Sequence, residues 1–322
     1  MNILFIIDRI ELKYFEFNNL VTNFWIIREL LKNNCNVWIT TIDKLCLQNG
    51  KALAHCFKSY EDNDNIFYEK SEELKLIEDF QLVMFRPDPP VDLDYINATY
   101  IFDFVDRNKT LILNDPKAIR DFNEKMHAVK FLDLMPENIV TCSKNDIMEF
   151  LNQHNEIVLK PLNACFGSGV MTLKKGDKNT AAIINSMTKN QTQLIMVQKY
   201  IEKARFGDKR VMFLGDEVLD VCIQKLPSND DFKFNEHCDA NIVKAELSPT
   251  EKAKFIPVAR EMNKLGLPLV GLDVIDEQII EINVTSPCYF IKETNFHHGV
   301  ELEKKITEFI LSLISEKVRQ YQ

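Results

Sequence analysis

The sequence predicts an α/β protein of two or three units, and three observations carry that expectation. A chain of 322 residues exceeds one average domain. Its opening alternates a strand-like run, ILFII at 3–7, a helical pattern from about 18 to 32, and a second strand-like run, NVWIT at 36–40. That order is a βαβ unit and implies a parallel sheet. Past about residue 123 the pattern changes to short strands interleaved with helices, so a boundary is expected there.

Within the first unit, 59–70 is polar, carries the run EDNDN, and is expected as a surface loop. A second helical pattern then precedes LVMF at 82–85, a buried strand that delivers Arg86 at its end. The tandem prolines of RPDPP at 86–90 force an extended or turn conformation. An amphipathic helix over 92–108 and the strand LILN at 111–114 follow, and Pro116 suits a first helical position. Phe24, Trp25, Phe102 and Phe104 on the helical stretches are expected in the core.

The middle of the chain gives strands NIVTC at 138–142, EIVLK at 156–160, VMTLKK at 170–175 and LIMVQKY at 194–200, with helices between. From 201 onward come antiparallel strands over 211–226, a polar loop at 228–241, a helix near 249–265, a hairpin, and a closing helix from about 301. The expected units are 1–122, 123–200 and 201–322.

Composition bounds the function. A hydrophobic fraction of 46% and a charged fraction of 27% describe an ordinary globular chain. The net charge of -9 argues against broad nucleic-acid or membrane-surface partners. No apolar run reaches the roughly 18 residues of a membrane span. ILFII follows no basic residue and stops at Asp8, so it is expected as a first strand and not a signal peptide. The eight cysteines form no C-x-x-C pair, which favours reduced thiols in a cytoplasm. His297 and His298, the adjacent histidine pair, are expected in a loop or at a helix start.

Chemistry concentrates in VGLDVIDEQIIEINVTSP at 270–287. Leu272, Val274, Ile280 and Ile282 alternate with other residues as in a half-buried hairpin. Glu281 and Asn283 share a strand face. If 276–278 form a three-residue turn, Asp273 pairs with Glu281 and joins that face; a two-residue turn sets Asp273 opposite Ile280. The first register is preferred because it leaves all four aliphatics on the other side. Two carboxylates and an amide make a hard oxygen site suited to magnesium held with substrate phosphates, although a solvated polar edge would look alike.

Upstream, LKPLNACFGSGVMTL at 159–173 sets Lys160 beside a loop holding Gly167, Ser168 and Gly169. Small residues admit phosphate oxygens to backbone N–H groups, and the lysine adds a point charge, as does Lys125 earlier. The G-x-x-x-x-G-K-[ST] spacing is absent, so this is no Walker loop. GDKRV at 207–211 places Asp208 and Arg210 at a strand start, where an arginine suits charge developing on a transferred phosphoryl group and equally suits a surface position.

In order and spacing, RPDPP at 86–90, ATYI at 98–101, NDPKAIRDFNEK at 114–125, LKPL at 159–162, GDKRV at 207–211, and VGLDVI with EINVTSP to 287 resemble the bacterial type of glutathione synthetase, in the ATP-grasp superfamily. The resemblance implies an N-terminal α/β domain, a small central lid and a C-terminal α+β domain clamping ATP. It implies that Lys125, Lys160 and Gly167 meet ATP phosphates, that Gln198, Lys199, Tyr200 and Ile201 line the adenine pocket, and that Asp208 sits near the nucleotide. Arg210 would be catalytic, beside the reacting phosphate. Asp273, Glu281 and Asn283 would hold magnesium, with manganese an alternative, and Arg86, Lys225, Lys233, Asn235 and Ser286 would face the peptide substrates. The implied reaction activates a carboxylate as an acyl phosphate and passes it to an amine, joining γ-glutamylcysteine and glycine. The family is commonly oligomeric, which implies a homo-oligomer.

The sequence departs from the family where substrates would be selected. Ala164 and Phe166 replace two glycines of K-P-L-x-G-x-G-G, Lys225 stands where arginine is usual, and FNNLVTNF at 17–24 replaces a K-D-S/T-S stretch. Lys233 and Asn235 are partial matches in a loop that reads KFNEHCDAN. A ligase joining a different acid and amine, and a non-catalytic nucleotide-binding relative, are therefore the alternatives.

Overall fold

The computed structural model describes residues 1–165, 167–227 and 242–320. Among the described residues three sheets organise the chain: eight strands within residues 2–113, four within 138–199, and six within 208–283. In the first sheet Asn2–Ile6 pairs in parallel with Asn36–Thr40 on one side and Leu82–Phe85 on the other, as the βαβ opening requires. All of Leu82–Phe85 is buried, the mark of a central parallel strand.

Several expectations fail here for local reasons. The segment 59–70 is no loop: Lys51–Asp62 and Asn65–Tyr68 form a hairpin whose turn residues, Asn63 and Asp64, take positive φ of 52° and 63°. Those two residues supply the turn, while Ala52, Ala54 and Cys56 alternate inward along the strand and Ser59 is buried beyond them. The helical pattern before LVMF is instead the strand Glu73–Leu76 and a single tight turn, Ile77–Asp79. The first long helix begins later than its pattern, at Thr22, and runs to Lys32. Of the four aromatics expected inside, Phe24 and Phe102 are buried, Trp25 is half-buried and Phe104 is exposed. His297 and His298 end the helix Ile291–His298 instead of starting one, and their rings face the carbonyls of Ile242 and Cys222.

The first and third sheets share their cores. Leu4, Val83 and Phe85 pack in one cluster with Val211, Phe213, Val270 and Leu272. A second cluster joins the helix Thr22–Lys32 to the closing helix Leu302–Gln320, whose Leu302, Ile306, Ile310 and Ile314 repeat every four residues along one face. The four-stranded sheet has a core of its own, around Phe150, Leu159 and Ile184. Asn114 ties the first sheet to the third: its Nδ2 donates to the carbonyls of Leu269 and Val284 at 2.7 Å each, and its Oδ1 accepts from Leu269 N at 3.0 Å.

Candidate active site

The late hairpin consists of Leu269–Ile275 and Gln278–Asn283. Its turn has two residues, Asp276 and Glu277, both at positive φ, and not the expected three. Asp273 nevertheless pairs with Glu281, because the register shifts between Asp273 and Val274: Val274 pairs with Ile279, leaving Ile280 as an extra bulged residue. The bulge also changes the aliphatic face. Leu272, Val274, Ile279 and Ile282 enter the core, whereas Ile280 is half-buried and borders the cavity described below.

Neighbouring strands extend this pairing into a row of charge. Arg210 lies opposite Asp273 on one side as Glu281 does on the other, and Lys225 lies opposite Asp208. Arg210 Nε donates to Asp273 Oδ1 at 2.8 Å and its Nη1 to the Cys288 carbonyl at 2.7 Å. Lys225 Nζ lies 2.8 Å from Asp208 Oδ2 and 3.2 Å from Asp273 Oδ1. Asn283 Nδ2 donates to Asp273 Oδ2 at 3.2 Å. Burial alone would raise the Asp273 carboxyl, but Arg210 and Lys225 outweigh it and hold the group well below the usual carboxylate range. Asp208 goes the other way: burial, with the charge of Asp273, pushes it up to about 7 against the pull of Lys225.

The two lysines reach the same place from elsewhere. Lys125 Nζ donates to Glu281 Oε1 at 2.6 Å and to the Ala164 carbonyl at 2.7 Å. Burial opposes its charge, yet Glu281 raises it above an ordinary lysine. Lys160, on the strand Glu156–Pro161, donates to the Ile280 carbonyl at 3.3 Å, and burial pulls it down to about 8.

A cavity of about 380 Å³ collects these groups. Lys125, Lys160, Gly167, Gln198, Lys199, Ile201, Asp208, Arg210, Lys225, Asp273, Glu281, Asn283, Arg86 and Ser286 all border it. Tyr200 does not; it follows the strand Ile195–Lys199, and its N–H is used by the Glu156 carbonyl. Lys233 and Asn235 lie outside the described residues. Buried polar atoms at the border that have no hydrogen-bond partner include Arg86 Nη1, Asp208 Oδ1 and Gln198 Nε2.

Among the described residues no three His, Cys, Asp or Glu side chains cluster for a metal ion. A cation at the hairpin would hold two carboxylates and an amide of this chain, with phosphate and water oxygens as further ligands, which fits magnesium better than zinc. Asp273 and Glu281 stand directly across the ladder, where like charges repel unless a cation intervenes. Arg210, Lys225 and Lys125 supply that compensation here, so the site is one where positive charge is at home.

The family model described as prokaryotic glutathione synthetase, ATP-grasp domain, matches residues 124–297, and the corresponding N-terminal domain model matches 1–120. The chain belongs to the prokaryotic glutathione synthetase family. It is an ATP-dependent carbon–nitrogen ligase of the ATP-grasp fold. The glutathione synthetase of Thermosynechococcus vestitus is 32% identical over 86% of this chain and 90% of its own length. That of a Nostoc species is 36% identical over 73% and 72%. In fold the chain is similar to D-cycloserine synthetase, with a TM-score of 0.69 and 13% identity over 98% of this chain and all of that one.

Among the described residues, departures from this family lie along the same cavity. Asn18, Leu20, Val21, Thr22 and Asn23, from the altered N-terminal stretch, border it, as do Ala164 and Cys165 from the altered glycine loop. Sequence reasoning missed Glu11, Asp88 and Glu124 at this border. Glu124 stood inside NDPKAIRDFNEK, next to Lys125, and that adjacency was the available signal. Its Oε1 accepts from Val284 N at 2.7 Å and from Thr285 N and Oγ1 at 3.0 Å each, anchoring the segment that follows the hairpin. Among the described residues no helix is long and apolar enough to cross a membrane.

Proposed function

We propose that this chain is a cytoplasmic glutathione synthetase that joins γ-glutamylcysteine and glycine, with ATP as phosphoryl donor. The row Arg210, Asp273, Glu281, closed by Lys125, carries this reading, because it sets two carboxylates and two cations of the chain around one cavity. Lys125 and Lys160 neutralise the triphosphate, Gly167 covers it, and the edge at Gln198, Lys199 and Ile201 receives the base. Asp273, Glu281 and Asn283 hold a divalent ion, magnesium or manganese, which supplies charge neutralisation on the transferred phosphoryl group. Arg210 holds charge on the phosphoryl oxygens as the carboxylate of γ-glutamylcysteine attacks in line and ADP leaves. The glycine amine then attacks the acyl carbon, phosphate departs, and the amine loses its proton. Water must be kept from the acyl phosphate, or the activated acyl group hydrolyses.

A different acid and amine pair is the second reading, favoured by one observation: Leu20 and Val21, apolar residues of the altered stretch, border the cavity. Phosphate release with γ-glutamylcysteine plus glycine, run beside a panel of other acids and amines, separates the two. Turnover with other pairs alone would overturn the first reading. Glu281→Gln is expected to abolish turnover and leave the circular dichroism spectrum of the wild type, and wild-type activity in that variant would remove Glu281 from the site.

A further inference from the structure

Lys225, Asp208, Arg210, Asp273 and Glu281 share one face of the third sheet, but donors are unevenly spread among its carboxylates. Asp208 and Arg210 are two apart on the strand Asp208–Leu214; Lys225 lies opposite the first, Asp273 opposite the second, and Glu281 opposite Asp273 on the far side. Asp273 is crowded. Its Oδ1 accepts from Arg210 Nε at 2.8 Å and from Lys225 Nζ at 3.2 Å, and its Oδ2 accepts from Arg210 Nη2 at 3.3 Å and from Asn283 Nδ2 at 3.2 Å. Asp208 is the reverse case. It is 1% exposed, its Oδ2 meets Lys225 Nζ at 2.8 Å, and its Oδ1 has no hydrogen-bond partner.

A divalent ion at the hairpin needs an oxygen of Asp273, and both oxygens of that group are already taken. One donor has to withdraw. Arg210 is held at several points, by its contacts to Asp273 and by Nη1 on the Cys288 carbonyl at 2.7 Å. The Lys225 contact to Asp273 is longer than the shorter of the arginine's two, and it ends in a point charge on a flexible stem. Lys225 also has somewhere to go. A buried carboxylate oxygen without a donor costs free energy, and the Lys225 ammonium already touches the other oxygen of the same group.

We propose that Lys225 is a positioning residue with two stations. With the hairpin empty its ammonium bridges Asp208 and Asp273; when a divalent ion arrives it leaves Asp273 and closes on both oxygens of Asp208. Asp208 thereby sets the affinity of an ion that it does not touch. This rests on the reading of Asp273, Glu281 and Asn283 as ligands of that ion and deepens it. It also gives Lys225 a partner inside the chain in place of the peptide contact that the resemblance implies. The family usually has an arginine here, so the device belongs to this chain: an ammonium turns its donors freely between two carboxylates, whereas a planar guanidinium presents them in a fixed fork.

The test reads Mn2+ affinity by electron paramagnetic resonance, with ADP present, in the wild type, Asp208→Asn, Lys225→Met and the double variant. Asp208→Asn is expected to weaken Mn2+ binding about tenfold in the chain that keeps Lys225, the range for a group that acts on a metal ligand through its partner. In the Lys225→Met background the same change is expected to matter less than about twofold, because no ammonium needs receiving there. Additive effects, which charge acting at a distance would give, would overturn the proposal. A crystal structure of the wild type with Mn2+ and ADP supplies the second readout. Lys225 Nζ is expected about 3 Å from both oxygens of Asp208 and beyond hydrogen-bond reach of Asp273. An ammonium still on Asp273 beside the ion would overturn the two stations, and that crystal decides alone if Lys225→Met does not fold. An ion lodged away from Asp273 and Glu281 would overturn the metal reading itself and this proposal with it, a result distinct from a bound ion with Lys225 unmoved.

Discussion

The Lys125 ammonium donates to Glu281 at 2.6 Å, joining residues 156 positions apart in the chain. The Lys125 side chain is 5% exposed and that of Glu281 20%, so water screens the pair poorly. Lys125→Met leaves Glu281 without its cation and the Ala164 carbonyl without its donor. The expected loss is about 2–3 kcal/mol of stability, measured by urea unfolding, together with weaker ATP binding in calorimetry. Nucleotide binding at wild-type strength would remove Lys125 from the phosphate site.

Lys160 gives a pH signature. Burial lowers it from the ordinary 10.5 to about 8, so the folded chain binds this proton less tightly than the unfolded chain does. The sign follows from linkage: the buried charge costs stability below about 8, and stability rises with pH between about 8 and the ordinary lysine value. A triphosphate beside Lys160 would draw the proton back. ATP binding near pH 8.5, an illustrative choice of about half a unit above that value, is therefore expected to take up protons, measured as a heat that depends on the buffer's ionisation enthalpy. Lys160→Met is expected to gain about 1–3 kcal/mol of stability and lose the proton uptake. Unchanged uptake in that variant would assign it elsewhere.

Glu124 is expected to act through the backbone. Glu124→Ala strips Val284 N and Thr285 N of their acceptor, at a cost of about 2–4 kcal/mol in urea unfolding. Glu124→Gln keeps an oxygen there and should lose less. Equal losses in both variants would show that charge, and not the acceptor, matters at this position.

Gly207 sits at φ +100°, and a Cβ there would lie 2.1 Å from the Lys225 carbonyl oxygen. Gly207→Ala must push apart the strands Asp208–Leu214 and Val221–Lys225, which carry the 2.8 Å contact of Asp208 and Lys225. A loss of about 2–3 kcal/mol is expected, read as a lower Tm, with a larger loss of activity than stability alone explains. A Tm equal to the wild type would show that the strand end relaxes freely.

Much of the site was legible in the chain because its groups sit in short runs with local meaning. Lys160 ends a strand whose period is visible, and Glu281 and Asn283 are two apart on another. The Asp273 pairing was expected, but for the wrong turn. Two positive-φ residues made the turn and the bulge at Ile280 restored the register, and alternation alone distinguishes neither from a three-residue turn. The hairpin at 51–68 was missed because its polar turn residues outweighed the alternation on either side.

The sequence by itself determined the βαβ opening, the acidic face of the last hairpin and the two lysines, since each depends on neighbours within a few positions. Only the tertiary structure decided that Arg86 stands beside Asn23 and Pro287, 63 and 201 positions away, and that Glu11 shares their cavity. Such meetings are fixed by how packed sheets share a core and how buried charges find partners, and neither leaves a period in the chain.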